Sequence, residues 1–151
     1  MEKIRKSFKI SSWVVLIFAV LSLLRIIVAV ALGEHNYAEI PADSPENILM
    51  ITNAFLLVFS GLCLLPEIYV GIQGLRVAKN LKGSKGHIIW AVILLSFAAL
   101  SLMGTLIAMV KEGSFSAHGS TLFSTLLELI VYFEYIQYAV AFRKELLKSA
   151  E

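Results

Sequence analysis

Cysteine is nearly absent from this chain. The single residue, Cys63, sits inside an apolar run, so neither an internal disulfide nor a Cys-x-x-Cys redox centre can form, and thiol-oxidoreductase chemistry is excluded. Charge is also scarce. Only 16% of the residues are Asp, Glu, Lys or Arg, where a soluble domain carries roughly a quarter. Of the three prolines, Pro41 and Pro45 fall in the acidic stretch GEHNYAEIPADSPEN, which leaves Pro66 as the one helix-breaking residue inside an apolar run. That acidic stretch has no Lys or Arg. No nucleophile-and-base constellation is visible, so an enzymatic role is not expected.

Apolar residues dominate what remains. A hydrophobic fraction of 58% and a mean hydropathy of +0.81 place the chain among integral membrane proteins. At about 20 to 25 residues per crossing, 151 residues accommodate four spans and no soluble domain. The apolar stretches run over about 10–32, 48–75, 87–110 and 120–142. They predict an all-α fold, a four-helix bundle embedded in a membrane as one domain over 1–151. The basic start of the first stretch resembles a signal peptide. Its length and its interruption by Arg25 favour a retained span instead.

Basic residues set the orientation. Lys3, Arg5, Lys6 and Lys9 precede the first span, Arg76, Lys79, Lys82 and Lys85 separate the second from the third, and Arg143, Lys144 and Lys148 follow the fourth. The opposite side has Lys111 alone. The positive-inside rule therefore predicts that both termini are cytoplasmic, in the plasma membrane, with Trp13 and Trp90 at the same interface. These bases read as topology signals with an attraction to membrane lipids, and no nucleic-acid partner is expected.

Four ionisable residues lie at membrane depth: Arg25, Glu67, Glu128 and Glu134. A charge at a helix centre costs about 2.5 to 3.5 kcal/mol to insert, so partners are expected. Counting about 1.5 Å of rise per residue from the cytoplasmic end puts Arg25 at about 22 Å and Glu128 at about 21 Å, and Glu67 and Glu134 both at about 12 Å. The first pair reads as a structural ion pair. Two carboxylates at one level in low dielectric cannot both carry full charge, so the second pair is expected to share a proton or a cation. A duller alternative has Glu67 bonded to Tyr69 or to a carbonyl freed by Pro66, and Glu134 facing lipid.

Helical faces give a second coordinate. Ser11, Phe18, Ser22 and Arg25 share a stripe of the first span. Asn53, Ser60, Glu67, Gly71 and Gly74 share one on the second, where small residues invite a neighbouring helix, and Ser101, Gly104 and Ala108 make a small face on the third. On the fourth span Ser124, Glu128, Tyr132 and Tyr135 form one face, while Glu134, Gln137 and Tyr138 point elsewhere. A second copy of the chain is one way to satisfy both faces, which makes a homodimer an expectation. The tyrosines can line an aromatic site for a cation, or Tyr138 can serve as an interfacial anchor. Glu34, His35, Glu39 and His118 match no tight metal motif, and no metal or cofactor is expected.

Four spans, short outer loops and the segment GIQGLRVAKN leading into a basic loop resemble the broad group of small four-span, tetraspan-like membrane proteins. The resemblance covers the whole chain at the level of topology. It lacks the CCG signature and large outer loop of tetraspanins and the tryptophan-and-paired-cysteine first loop of claudins. It also lacks the first-span glutamate of small multidrug transporters and the arginine-rich second-span motif of membrane glutathione enzymes. The expected function is a non-enzymatic interaction, accessory or scaffold subunit working through another membrane protein. The alternative is a small proton- or cation-coupled transporter or channel, dimeric, with Glu67, Glu134, Tyr135 and Gln137 binding a proton or small cationic ligand.

Overall fold

The computed structural model of the chain describes residues 2–31, 46–80, 85–112 and 115–148; within these segments the side chains of Arg25, Asn53, Ser60, Cys63, His118 and several neighbours fall outside the description. Every described segment is helical: α1 (Glu2–Ala31), α2 (Glu46–Asn80), α3 (Gly86–Glu112) and α4 (Phe115–Lys148). Each helix outruns the apolar stretch that announced it. The basic segment before the first span belongs to α1, because nothing in EKIRKSFK breaks a helix once its apolar continuation has nucleated one. α2 continues through Pro66, whose missing N–H leaves the carbonyl of Leu62 without its usual helical donor.

Among the described residues, three stretches are long and apolar enough to cross a membrane, Glu2–Val28, Gly86–Lys111 and Gly119–Lys148. α2 is longer than any of the helices that carry them, at 35 residues. Large apolar side chains such as Ile17, Val20, Phe55, Val58, Phe97, Met103, Val110 and Phe133 face outward. So continuous an apolar exterior belongs to a membrane protein.

The helices pack in cyclic order: α1 lies between α2 and α4, and α3 closes the ring against α4 and, more loosely, α2. The start of α1 meets the end of α2, the start of α3 and the end of α4, so sequence neighbours run antiparallel, as short connections dictate. All four ends converge on a packed cluster of Phe8, Val15, Val70, Val77, Ala91, Tyr132, Tyr135 and Phe142. Phe8 is its hub, with ring centroids 5.5 Å from Tyr135 and 5.5 Å from Phe142, and 6.0 Å from His87. Such offset aromatic contacts add about 0.5–1.5 kcal/mol each beyond area burial.

Two glycines let α1 and α4 close on α2. A Cβ on Gly71 would lie 2.5 Å from Leu16 Cγ, and one on Gly74 would strike Ser12 Oγ and lie 2.6 Å from the Tyr135 hydroxyl oxygen. The small face expected on α2 is thus a true helix contact. The one expected on α3 is not, since a Cβ on Gly104 would meet nothing within 4 Å; that face points out of the bundle.

The polar atoms of this packed end are largely satisfied locally. Arg5 donates from Nε to the carbonyl of Ala78 (2.7 Å) and from Nη2 to that of Lys79 (3.3 Å), supplying partners to carbonyls that the end of α2 leaves bare. Ser11 and Ser12 both donate to the carbonyl of Phe8, and toward the other end of the bundle Ser124 and Thr125 donate to that of Thr121. These hydroxyls are spent on their own helices.

Candidate intramembrane binding site

The loosest seam of the ring, between α2 and α3, opens into a cavity of about 580 Å³. That is within the range of small-molecule sites. α2 contributes Pro66 and Glu67, α4 contributes Glu128 and Tyr132 from behind, and α3 supplies a mostly apolar wall that includes Trp90, Leu94, Phe97 and Ser101. Trp90 and Phe97 are themselves well exposed on the bundle exterior, so the mouth of the cavity is aromatic.

Helical spacing explains why these groups meet. Glu128 and Tyr132 are four residues apart on α4 and so share a face. Trp90, Leu94, Phe97 and Ser101 repeat at i, i+4, i+7 and i+11 along α3. Glu67 follows Pro66 at the point where α2 has lost a backbone donor.

Tyr132, Glu67 and Glu128 line the same cavity, near enough for the three polar groups to act on one another electrostatically. Glu67 Oε2 is buried without a hydrogen-bond partner. A carboxylate oxygen in that condition is costly to maintain and marks a place where a donor or a cation would be stabilising.

This geometry corrects the sequence-based pairing. Glu67 was expected opposite Glu134, but Glu134 is exposed on the outer face of α4 and takes no part in the cavity. Equal depth did not bring the two together because Glu134 lies about 120° around α4 from Glu128, at about 100° per residue. Gln137 is likewise exposed. Tyr135 is fully buried in the aromatic cluster and donates its hydroxyl to the carbonyl of Val70 (3.1 Å). It is a packing residue, not a cavity wall. Tyr132 is the tyrosine that shares the cavity with Glu67, and Tyr69 is exposed.

The expected ion pair of Arg25 with Glu128 involves a side chain outside the described residues, as do Glu34, His35, Glu39 and His118. Among the described residues, no three His, Cys, Asp or Glu side chains come together as a metal site would require. The sequence offers Tyr132 with the other tyrosines as an aromatic site for a cation, and gives Glu128 a structural role; the cavity has both on its wall. Their shared face with Ser124 and Tyr135 was the available signal, and it was outweighed by depth counting. No protein-family model matches the chain, and neither curated proteins nor solved structures yield a match.

Proposed function

We propose that this is a four-span, non-enzymatic protein of the plasma membrane, both termini cytoplasmic, that binds a lipophilic cation in the cavity between α2 and α3. One observation carries this reading: a buried oxygen of Glu67 without a hydrogen-bond partner on the wall of an accessible, mostly apolar cavity that also holds Glu128. In this reading Arg25 neutralises Glu128, leaving Glu67 to balance one positive charge. Tyr132 stands beside the carboxylate, and Trp90 and Phe97 offer aromatic faces to the cation. Exchange of that cation for a proton on Glu67 would make the same site a step in coupled transport.

Tetraphenylphosphonium is a suitable probe. Purified protein in proteoliposomes is expected to bind it saturably, with Glu67→Gln weakening binding by about tenfold or more, the effect of one charge-assisted contact. Glu134→Gln is expected to leave binding unchanged. Saturable binding that survives Glu67→Gln would rule the site out.

A second reading has its own observation. The face of α3 at Gly104 is open, as the interface of a homodimer or of an accessory subunit would be. Gly104→Ile is expected to abolish crosslinked dimers if that face is the interface and to leave cation binding intact.

A further inference from the structure

A second groove, of about 460 Å³, lies between the start of α1 and the end of α2, far from Glu67 along the bundle. Arg5, Lys6 and Lys9 with Trp13 line it from α1, and Leu75 and Lys79 from α2. We infer that it seats the headgroup phosphate of an acidic phospholipid, whose acyl chains run down the outer face of α1.

Three features converge on that ligand. The first is charge. Four bases line the groove against one acid, Glu2, and Lys6, Lys9 and Lys79 are exposed. Arg5 is already fixed on the carbonyls of Ala78 and Lys79, so the groove has a rigid floor and need not be ordered by its ligand.

The second is level. Trp13 is half exposed, and a tryptophan in that setting sits at the boundary of hydrocarbon and headgroups. At about 1.5 Å per residue, Lys9 stands about 6 Å beyond it, within a polar layer about 5 to 8 Å thick that carries phosphate, and Lys6, about 10 Å beyond, is just outside that layer with a side chain long enough to reach back into it. Glu2 stands about 16 Å beyond, outside that layer.

The third is continuity. Lys6, Lys9, Trp13, Ile17, Val20 and Leu24 repeat at helical spacing and form one stripe of α1. Its apolar part, Ile17, Val20 and Leu24, is exposed. A single face thus passes from basic to aromatic to aliphatic in the order in which a phospholipid passes from phosphate to ester to acyl chain. A free phosphate would use only the first of these; a lipid uses all three.

The test is native mass spectrometry of the full chain in neutral detergent, titrated with phosphatidylglycerol, phosphatidylcholine or inorganic phosphate. Phosphatidylglycerol is expected to bind with a defined stoichiometry and phosphatidylcholine not to. Joint replacement Lys6→Gln, Lys9→Gln and Lys79→Gln is expected to weaken phosphatidylglycerol binding by about a hundredfold, the effect of three interfacial lysines. The charge-matched control Lys111→Gln, Lys144→Gln and Lys148→Gln, also exposed, is expected to change it by less than about threefold. Equal losses in the two triple variants, or equal binding of phosphatidylcholine, would overturn the site. Displacement of the lipid by an equal concentration of inorganic phosphate would overturn the lipid as its ligand. All six lysines lie on the surface, and retained thermal melting by circular dichroism verifies that both variants fold.

Discussion

Tyr132 on α4 and the carboxylate of Glu67 on α2 face one another across the bundle, and both line the α2–α3 cavity. Their two helices are diagonal in the ring, next to the seam that packs least well. The cavity therefore has a polar wall facing an apolar one.

Removing the Tyr132 hydroxyl takes a polar neighbour away from the Glu67 carboxylate. Tyr132→Phe is expected to destabilise the protein by about 1 kcal/mol. Combined with Glu67→Leu, which removes the group left behind, the loss is expected to be smaller than the sum of the two single losses. Unfolding in mixed detergent micelles, read as a double-mutant cycle, measures the coupling; additive losses would show that the two side chains do not act together.

Gly74 and Gly104 are expected to separate cleanly. A methyl group at Gly74 would collide with Ser12 and the Tyr135 hydroxyl, so Gly74→Ala should cost about 1–3 kcal/mol by overpacking. Gly104→Ala adds its methyl group to open space and is expected to stabilise α3 by about 0.4–1 kcal/mol. Thermal melting of both variants in the same detergent provides the comparison. Equal effects would contradict the packing of α1 and α4 on α2.

Tyr135 is expected to matter for stability and not for ligand binding. Tyr135→Phe forfeits the bond to the Val70 carbonyl, about 1 kcal/mol. Tyr135→Ala empties the centre of the aromatic cluster and is expected to cost about 3–5 kcal/mol. Tetraphenylphosphonium affinity of Tyr135→Phe should match the parent protein, and a loss of affinity comparable to that of Glu67→Gln would place this hydroxyl in the site after all.

Arg25 and Glu128 are expected to behave as a pair. Arg25→Ala alone is expected to destabilise the protein, whereas Arg25→Ala with Glu128→Ala should cost less, because an uncompensated charge in a low-dielectric setting is worse than none. Reversibility of the unfolding transition and its midpoint in each variant provide the readout.

Much of this protein was legible in one dimension. Apolar runs separated by polar segments predicted four helices, since any backbone in hydrocarbon must satisfy its own hydrogen bonds. The spacing of Glu67, Gly71 and Gly74 pointed to the face on which α2 packs, because a missing side chain is a steric fact before any fold is known. Depth was legible too, since rise per residue is constant.

What a residue at a given depth faces depends on the order of helices around the ring and on the rotation of each about its axis, and neither is encoded in spacing. That is why Glu67 found Tyr132 and Glu128, and Glu134 turned outward. It is also why Tyr135, one helical turn from Tyr132, went into the core. Composition and periodicity determined that this chain forms long apolar helices with a basic end. Only the tertiary packing, by leaving the α2–α3 seam the loosest of the ring, decided which carboxylate lines a cavity.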